Sequence, residues 1–281
     1  MHNLQDDRIQ IPDAEWNNRM FSIIATRYDL LNSILSLSLD RNWRKELVSH
    51  AAVRPDDRIL DVCSGTGGIA VEFAEAGLCG EIIGVDSSEE MLKIAEEKTR
   101  EANLQNKIKL AKGSALELAF EDESFDIVSM GFGLRNISDY AKGICEMARV
   151  LKNGGRLVVL EFSPPEDTLF GMIHHFYLKS VIPFVGGILS GSKDAYQFLS
   201  KSILNFAKPE TIALVMKRQD LKNVSYKKLS GGAVYLYRGE KHTPPKKEEK
   251  VVVEIKKQMP IERQKKEPKK SVSQGDLFGN P

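Results

Sequence analysis

Cysteine is scarce in this chain. Cys63, Cys79 and Cys145 are the only three in 281 residues. An odd number at these spacings builds neither a disulfide framework nor a metal site, so no metal is expected and a reducing compartment, the cytoplasm, is. Cys63 reads as a small buried residue rather than a nucleophile. No run of 18 uncharged apolar residues occurs, which excludes a sequence-evident membrane span. The opening M-H-N-L-Q-D-D-R lacks the basic and apolar regions of a secretory signal. No glycine is followed by Lys-Ser or Lys-Thr in a phosphate-loop spacing, which argues against a nucleoside triphosphate site. Excess charge of one sign is also missing, with a net of +1. That balance is uneven. Residues 241–281 hold 11 Lys/Arg against 6 Asp/Glu, which leaves 29 against 33 in the first 240. A slightly acidic body has no broad nucleic-acid footprint.

What is present is an ordinary globular composition, 42% hydrophobic and 28% charged. One stretch organises it. Ile59, Leu60 and Val62 form a short apolar run suited to a strand buried on both faces. Ser64-Gly65-Thr66-Gly67-Gly68 follows, and from Ile69 the apolar spacing becomes helical. Glycines in such a strand–turn–helix unit let backbone pass close to a ligand. The spacing Gly65-x-Gly67 with Ala70 at the third position does not exclude a dinucleotide. Asp61, just before the turn, is out of place beside a pyrophosphate and suits a cationic ligand. S-adenosylmethionine (SAM) is cationic and carries no phosphate. A second apolar strand, Ile82 to Val85, ends at Asp86, and 86 − 65 = 21 positions separate Asp86 from Gly65. A carboxylate about 20 residues on, at a second strand tip, can accept ribose hydroxyls. The alternative is that Asp86 only caps the helix opening near Ser88.

Further strands are expected at 108–110, 125–130 and 156–162, with helices from Glu89 to about Asn103 and over 139–150. Lys152-Asn153-Gly154-Gly155 reads as a turn. Alternation of this kind demands a parallel sheet with right-handed crossovers, and ligands then sit beyond the carboxyl ends of the strands. The polar tips Ser114-Ala115 and Gly131 to Asn136 both fall at such ends. Ahead of the first strand, spacings over 21–32 and 36–48 predict two amphipathic helices, a lid that brings Tyr28, Asn32 and Arg41 to the crevice. Residues 168–191 are unusually apolar. They read either as a helix on the core, which periodicity favours, or as the wall of a greasy cavity. His174 and His175, being adjacent, point to different sides and make no metal pair. Helices are expected over 192–205 and 209–218. Strands at 224–229 and 233–237 around Ser230-Gly231-Gly232 predict an antiparallel hairpin.

The motif D-V-C-S-G-T-G-G resembles the first motif of class I SAM-dependent methyltransferases. R-Y-D-L-L-N, G-F-G-L-R-N and R-V-L-K-N-G-G-R-L-V-V-L-E-F-S-P-P are similar to signatures of the ubiquinone/menaquinone biosynthesis C-methyltransferases, a likeness covering about residues 18–240. It implies an α/β, Rossmann-like class I methyltransferase fold. The expected sheet is mostly parallel and seven-stranded, with an antiparallel closing hairpin and an N-terminal helical lid. Residues 1–13 would be a loose leader and 14–240 the methyltransferase domain, in which 14–50 form the lid and 168–205 a substrate-side insertion. Residues 241–281 would be a charged, disordered tail.

The resemblance implies methylation of a ring carbon on a polyprenylated quinol. It places Thr66, Asp86, Ser114, Ala115 and Gly131 at the SAM site, beside Asp61, Gly65 and Gly67. Many members have serine where this chain has Gly131, and histidine where it has Asp40. The G-F-G-L-R-N form is similar to menaquinone-pathway members, which implies demethylmenaquinol as acceptor, with the ubiquinone precursor as alternative. Arg135 would stand beside the reacting hydroxyl and stabilise its phenolate. A plain salt bridge to a nearby carboxylate is the other reading of Arg135. The basic excess of residues 241–281 reads first as a solvated tail, with peripheral contact at the inner face of a membrane as the alternative, and a homodimer or a quinone-synthesis complex stays open. The rivals are an RNA or protein methyltransferase, a non-catalytic SAM-binding component and an NAD-binding protein. The absence of an Asn-Pro-Pro-Tyr-type motif counts against the first.

Overall fold

The computed structural model describes residues 19–22, 25, 28–77, 79–190 and 193–242. The expected leader, the start of the lid and the tail beyond His242 lie outside the described residues.

Two helices precede the sheet, α1 (Tyr28–Leu35) and α2 (Leu39–Ala51). The chain then alternates through β1 (Ile59–Val62), α3 (Gly68–Glu75), β2 (Ile82–Asp86), α4 (Glu89–Glu101) and β3 (Ile108–Lys112). It returns as β4 (Phe125–Gly131), α5 (Tyr140–Val150) and β5 (Leu151–Phe162). Next come α6 (Leu169–Phe176), a π-helical turn at Tyr177–Val181, α7 (Ile182–Ser190), α8 (Lys193–Leu204) and α9 (Pro209–Arg218). Strands β6 (Leu221–Leu229) and β7 (Val234–Lys241) close the sheet.

Local chemistry explains the boundaries. The Ser88 hydroxyl caps α4 by accepting from the Met91 amide at 3.3 Å. Glu89 and Glu90 lie in its first turn and Lys98 and Arg100 in its last, the order the helix dipole favours. Asp139 caps α5, accepting from the Lys142 amide at 2.9 Å. Pro209 opens α9, where its missing N–H costs nothing.

The seven strands lie in the order β3-β2-β1-β4-β5-β7-β6. All pairs from β3 to β5 are parallel, and β7 runs against both β5 and β6. The chain builds outward from β1 to β3 and then returns to place β4 on the other side of β1. This reversal opens a crevice at the carboxyl ends of β1 and β4. The expected turn at Lys152–Gly155 sits inside β5. Pairing with β4 jumps there from Phe125↔Leu151 to Ile127↔Arg156, and Gly154 takes a φ of +78°.

Side-chain parity sorts the core. Leu60, Val62, Val128 and Met130 face α5 and α9, where they meet Ile144, Met147, Ile212 and Met216. Ile59, Ile82, Ile127 and Val158 face the other way, onto Trp43, Leu47, Ala70 and Phe73. A third cluster lies beyond the end of β5, where Phe162 packs against it. Leu31 of α1 packs there with Leu178, Ile182, Tyr196 and Ile203, and the Tyr177 hydroxyl donates to the Leu35 carbonyl at 2.7 Å. Of the stretch 168–191, read as a helix on the core, Leu178 and Ile182 pack with α1 instead, and Phe170, Ile173 and Tyr177 line a cavity. Its buried side serves the lid, which no local pattern can report. Among the described residues no helix is long and apolar enough to cross a membrane.

Candidate active site

Between the third cluster and the tips of β1, β4 and β5 lies a cavity of about 580 Å³. Its floor is the loop that follows β1. Cys63, Gly65 and Gly67 all take positive φ, at 55°, 54° and 77°. Glycine holds such angles without strain. A Cβ on Gly67 would also come within 3.2 Å of the Ala95 Cβ on α4. The loop is pinned by Ser64 N–H donating to the Val85 carbonyl at 3.0 Å and Gly67 N–H to the Ser64 carbonyl at 2.9 Å.

Six of the residues singled out in the sequence line this one cavity: Tyr28, Asn32, Gly65, Thr66, Gly131 and Arg135. Asp61, Gly67, Asp86, Ser114, Ala115 and Arg41 do not line it. Asp86 stands next to the loop instead. Its carboxylate accepts from Gly65 N–H at 2.8 Å and Ser88 N–H at 2.9 Å. A carboxylate has about four acceptor positions, so capacity remains for hydroxyl donors. Burial raises the Asp86 carboxyl above its ordinary range, against the pull of these amide hydrogen bonds. Ser114 is exposed beyond β3, Ala115 is packed in the core, and Arg41 is exposed on α2. The arginine of α2 that does line the cavity is Arg44, held at 2.6 Å by the buried Asp40. On a helix, Arg44 shares a face with Asp40 while Arg41 turns away.

Asp61 is 1% exposed. One of its oxygens accepts from the Ser129 hydroxyl at 2.7 Å, and the other is buried with no hydrogen-bond partner, as is the Ser64 Oγ. Desolvation, reinforced by the negative charge of Asp86, pushes the Asp61 carboxyl up to about 7. Two orphaned polar atoms beside a glycine loop suit a ligand bearing an ammonium group and hydroxyls.

Arg135 sits in the 3-10 turn after β4, 6% exposed. Its Nη1 donates to Glu161 Oε1 at 2.6 Å and to the Phe132 carbonyl at 2.7 Å, and its backbone N–H donates to Glu161 Oε2 at 3.1 Å. Its guanidinium also lies 5.1 Å from the centre of the Phe162 ring. The salt-bridge reading of Arg135 is thus observed, and it coexists with a place on the cavity wall. Arg135 Nε is buried and unpartnered. Glu161, fully buried, was missed in the sequence. Its signal was a carboxylate inside an otherwise apolar strand end, Leu160-Glu161-Phe162.

Phe132, Phe162 and Trp43 pack together on the same wall, with ring centres 4.6–6.1 Å apart. Burial raises the Tyr28 phenol above its ordinary value, with the Arg135 charge opposing. His174 also lines the cavity, its imidazole held below its ordinary pKa by burial and by the neighbouring His175. At Gly131, a Cβ would lie 2.3 Å from Ile69 Cδ1, so Ile69 fills the space a serine side chain would begin in. The lid is fastened to this floor. Thr66 Oγ1 donates to Asp29 Oδ1 at 2.7 Å, and Lys98 Nζ reaches Asp29 Oδ2 at 2.6 Å. Among the described residues no group of three or more His, Cys, Asp or Glu could hold a metal ion.

Comparison with known proteins agrees with this geometry. The profile of the ubiE/COQ5 methyltransferase family matches residues 9–241. A demethylmenaquinone methyltransferase of Deinococcus radiodurans is 42% identical over 222 residues, covering 79% of this chain and 91% of the relative. One of Staphylococcus aureus is 40% identical over 230 residues, covering 82% and 94%. Among solved structures, a SAM-dependent methyltransferase of Thermotoga maritima superposes with a TM-score of 0.55 at 21% identity, covering 80% of this chain and 99% of that one. The chain belongs to the ubiE/COQ5 methyltransferase family and is a SAM-dependent methyltransferase.

Proposed function

We propose that this enzyme transfers a methyl group to a ring carbon of a polyprenylated quinol, demethylmenaquinol, and does so at the inner face of a membrane. The observation that carries the reading is Arg135, a buried cation on the wall of a largely apolar cavity. The two relatives described above are named for demethylmenaquinone, which supports the acceptor.

SAM, when bound, supplies an electrophilic methyl group on a sulfonium centre. Asp61, Gly65, Thr66, Gly67 and Asp86 would hold it, with Ser114, Ala115 and Gly131 at its margin. The orphaned oxygens of Asp61 and Ser64 are the fit for its donors. The chain's own residues then have three tasks. Arg135 stabilises the phenolate that makes the adjacent ring carbon nucleophilic; the hydroxyl proton, and after methyl transfer the ring-carbon proton, leave to water held at the cavity. Always protonated, Arg135 acts as a charge and not as the base. Glu161 accepts one hydrogen bond from the guanidinium Nη1 and one from the Arg135 backbone N–H, which fixes the charge and the turn that carries it, so little reorganisation is needed during reaction. Tyr28, Asn32 and the rest of the lid exclude bulk water from the cavity, where competing hydrolysis would waste the donor. Arg41, exposed on α2, would act on the acceptor side only from outside the cavity.

The test is direct. Purified protein is given labelled SAM and either demethylmenaquinol or the demethylated ubiquinol precursor. Label is expected in menaquinol. Label in the ubiquinol product alone overturns the acceptor. Saturable SAM binding with label in neither product makes the chain a non-catalytic component and overturns the activity.

A further inference from the structure

The large apolar side chains that this fold leaves exposed are not scattered. Among the described residues all but Leu214 and Tyr226 fall within 30–39 or 169–188. Leu37 is 79% exposed, Leu169 73% and Phe184 69%. Such density on a water-facing surface marks an interaction site.

Both stretches meet at the cavity. Leu37, Leu39, Phe170 and Ile173 are exposed and also line it, so they form its rim. The two flanks are one structure, because α1 packs on α7 and Tyr177 bonds to Leu35. Their charge is as uniform as their hydropathy. Residues 30–39 contain no charged side chain, and 169–190 contain no Asp or Glu. Exposed Lys179 and His175 are the titratable groups that face outward from α6 and the turn after it.

We propose that this rim is the membrane-docking surface of the enzyme. Its apolar side chains enter the headgroup and upper acyl region of a bilayer containing anionic lipid, and the cavity mouth opens onto the acyl chains. The inference rests on the quinol reading for its purpose. A polyprenylated acceptor dissolved in the bilayer then reaches Arg135 without crossing water. A lipid surface fits better than a protein, because a protein or a second copy seated on the rim would stopper the mouth. A basic residue among apolar ones, with no carboxylate, is also the pattern that binds an anionic interface. The helical run from Leu169 to Ser190 lies on the membrane and does not span it.

The experiment uses the full chain and vesicles of phosphatidylcholine with roughly one-quarter phosphatidylglycerol, without SAM or quinol. The wild type is expected to co-sediment. Phe176→Glu with Phe184→Glu, two exposed positions outside the cavity lining, should lower partitioning by about tenfold or more. The same pair should leave turnover on a short-chain, water-soluble demethylated quinol unchanged and lower turnover on the long-chain quinol held in vesicles. Phe176→Gln with Phe184→Gln serves if the charged pair does not fold. Equal partitioning of folded variant and wild type overturns the proposal. So does a chain that ignores vesicles and self-associates through these residues, seen by sedimentation velocity. Vesicle binding that depends on Phe176 and Phe184 in a chain that methylates no quinol keeps the docking surface and removes only the acceptor.

Discussion

Strand β5 carries a buried arginine–carboxylate pair at each end of its regular stretch, and the two pairs are built differently. At the amino end, Arg156 is paired with Asp57, and its Nε donates to the Ala51 carbonyl at 3.1 Å. Asp57 also accepts from the Arg54 amide at 2.7 Å. That pair lies away from the cavity and ties the end of α2 to the sheet. At the carboxyl end, Glu161 holds Arg135, whose Nε has no partner and whose side chain forms part of the cavity wall. Both pairs bear a desolvation cost. The first spends all its charge inside the protein, and the second keeps some available for what enters.

The sharpest separation comes from removing each arginine. Arg156→Met leaves Asp57 buried without its partner and should lose about 3–5 kcal/mol in urea unfolding. Turnover per folded molecule should stay near wild type, and a turnover collapse in folded Arg156→Met would erase the contrast. Arg135→Lys keeps a charge but loses the planar guanidinium whose Nη1 bridges Glu161 and the Phe132 carbonyl. Its turnover should fall by about tenfold to a thousandfold, the loss typical of one charge-stabilising donor. SAM affinity should be unchanged, and near-normal turnover would take Arg135 out of the chemistry.

A smaller effect tests the loop side. Asp86→Ala should weaken SAM binding by ~1.5–3 kcal/mol, the scale of hydrogen bonds to a charged group. An unchanged dissociation constant by titration calorimetry refutes the ribose assignment.

The mildest is a pH dependence from Asp61. Its carboxyl titrates at about 7 in the folded protein, against about 3.9 in an unfolded chain. The native state therefore holds a proton through that window that the unfolded state has lost. Stability from this group is full below about 4 and falls as pH rises towards about 7. A cationic ligand favours the ionised form, so SAM affinity should climb over the same rise. Asp61→Asn should flatten both profiles, and an affinity in the wild type that does not change between pH 6 and 8, roughly spanning that titration, would separate Asp61 from the ligand.

Much of this was legible beforehand because the signals are local. β1, the loop after it and β2 followed from a buried run, a glycine cluster and a second buried run. The hairpin around Ser230-Gly231-Gly232 followed from its turn residues, and Gly231 indeed takes a φ of +67°. Lys152–Gly155 was recognisable as a turn, yet nothing in it told that the same strand would resume pairing on both sides. The stretch 168–191 was ambiguous for a physical reason. Its apolar side chains satisfy a helix on a core or a wall on a cavity equally well, and only the neighbours choose.

The sequence by itself determined the alternation of strands and helices, the placing of polar tips at strand ends and hence the crevice, since periodicity and turn chemistry act over a few residues. Only the tertiary structure decided that Glu161 would hold Arg135, that Arg44 and not Arg41 would line the cavity, and that two apolar stretches without a carboxylate would share one rim. Those meetings depend on strand register and helix rotation, which are set when distant segments pack together, and no short stretch of chain contains both partners.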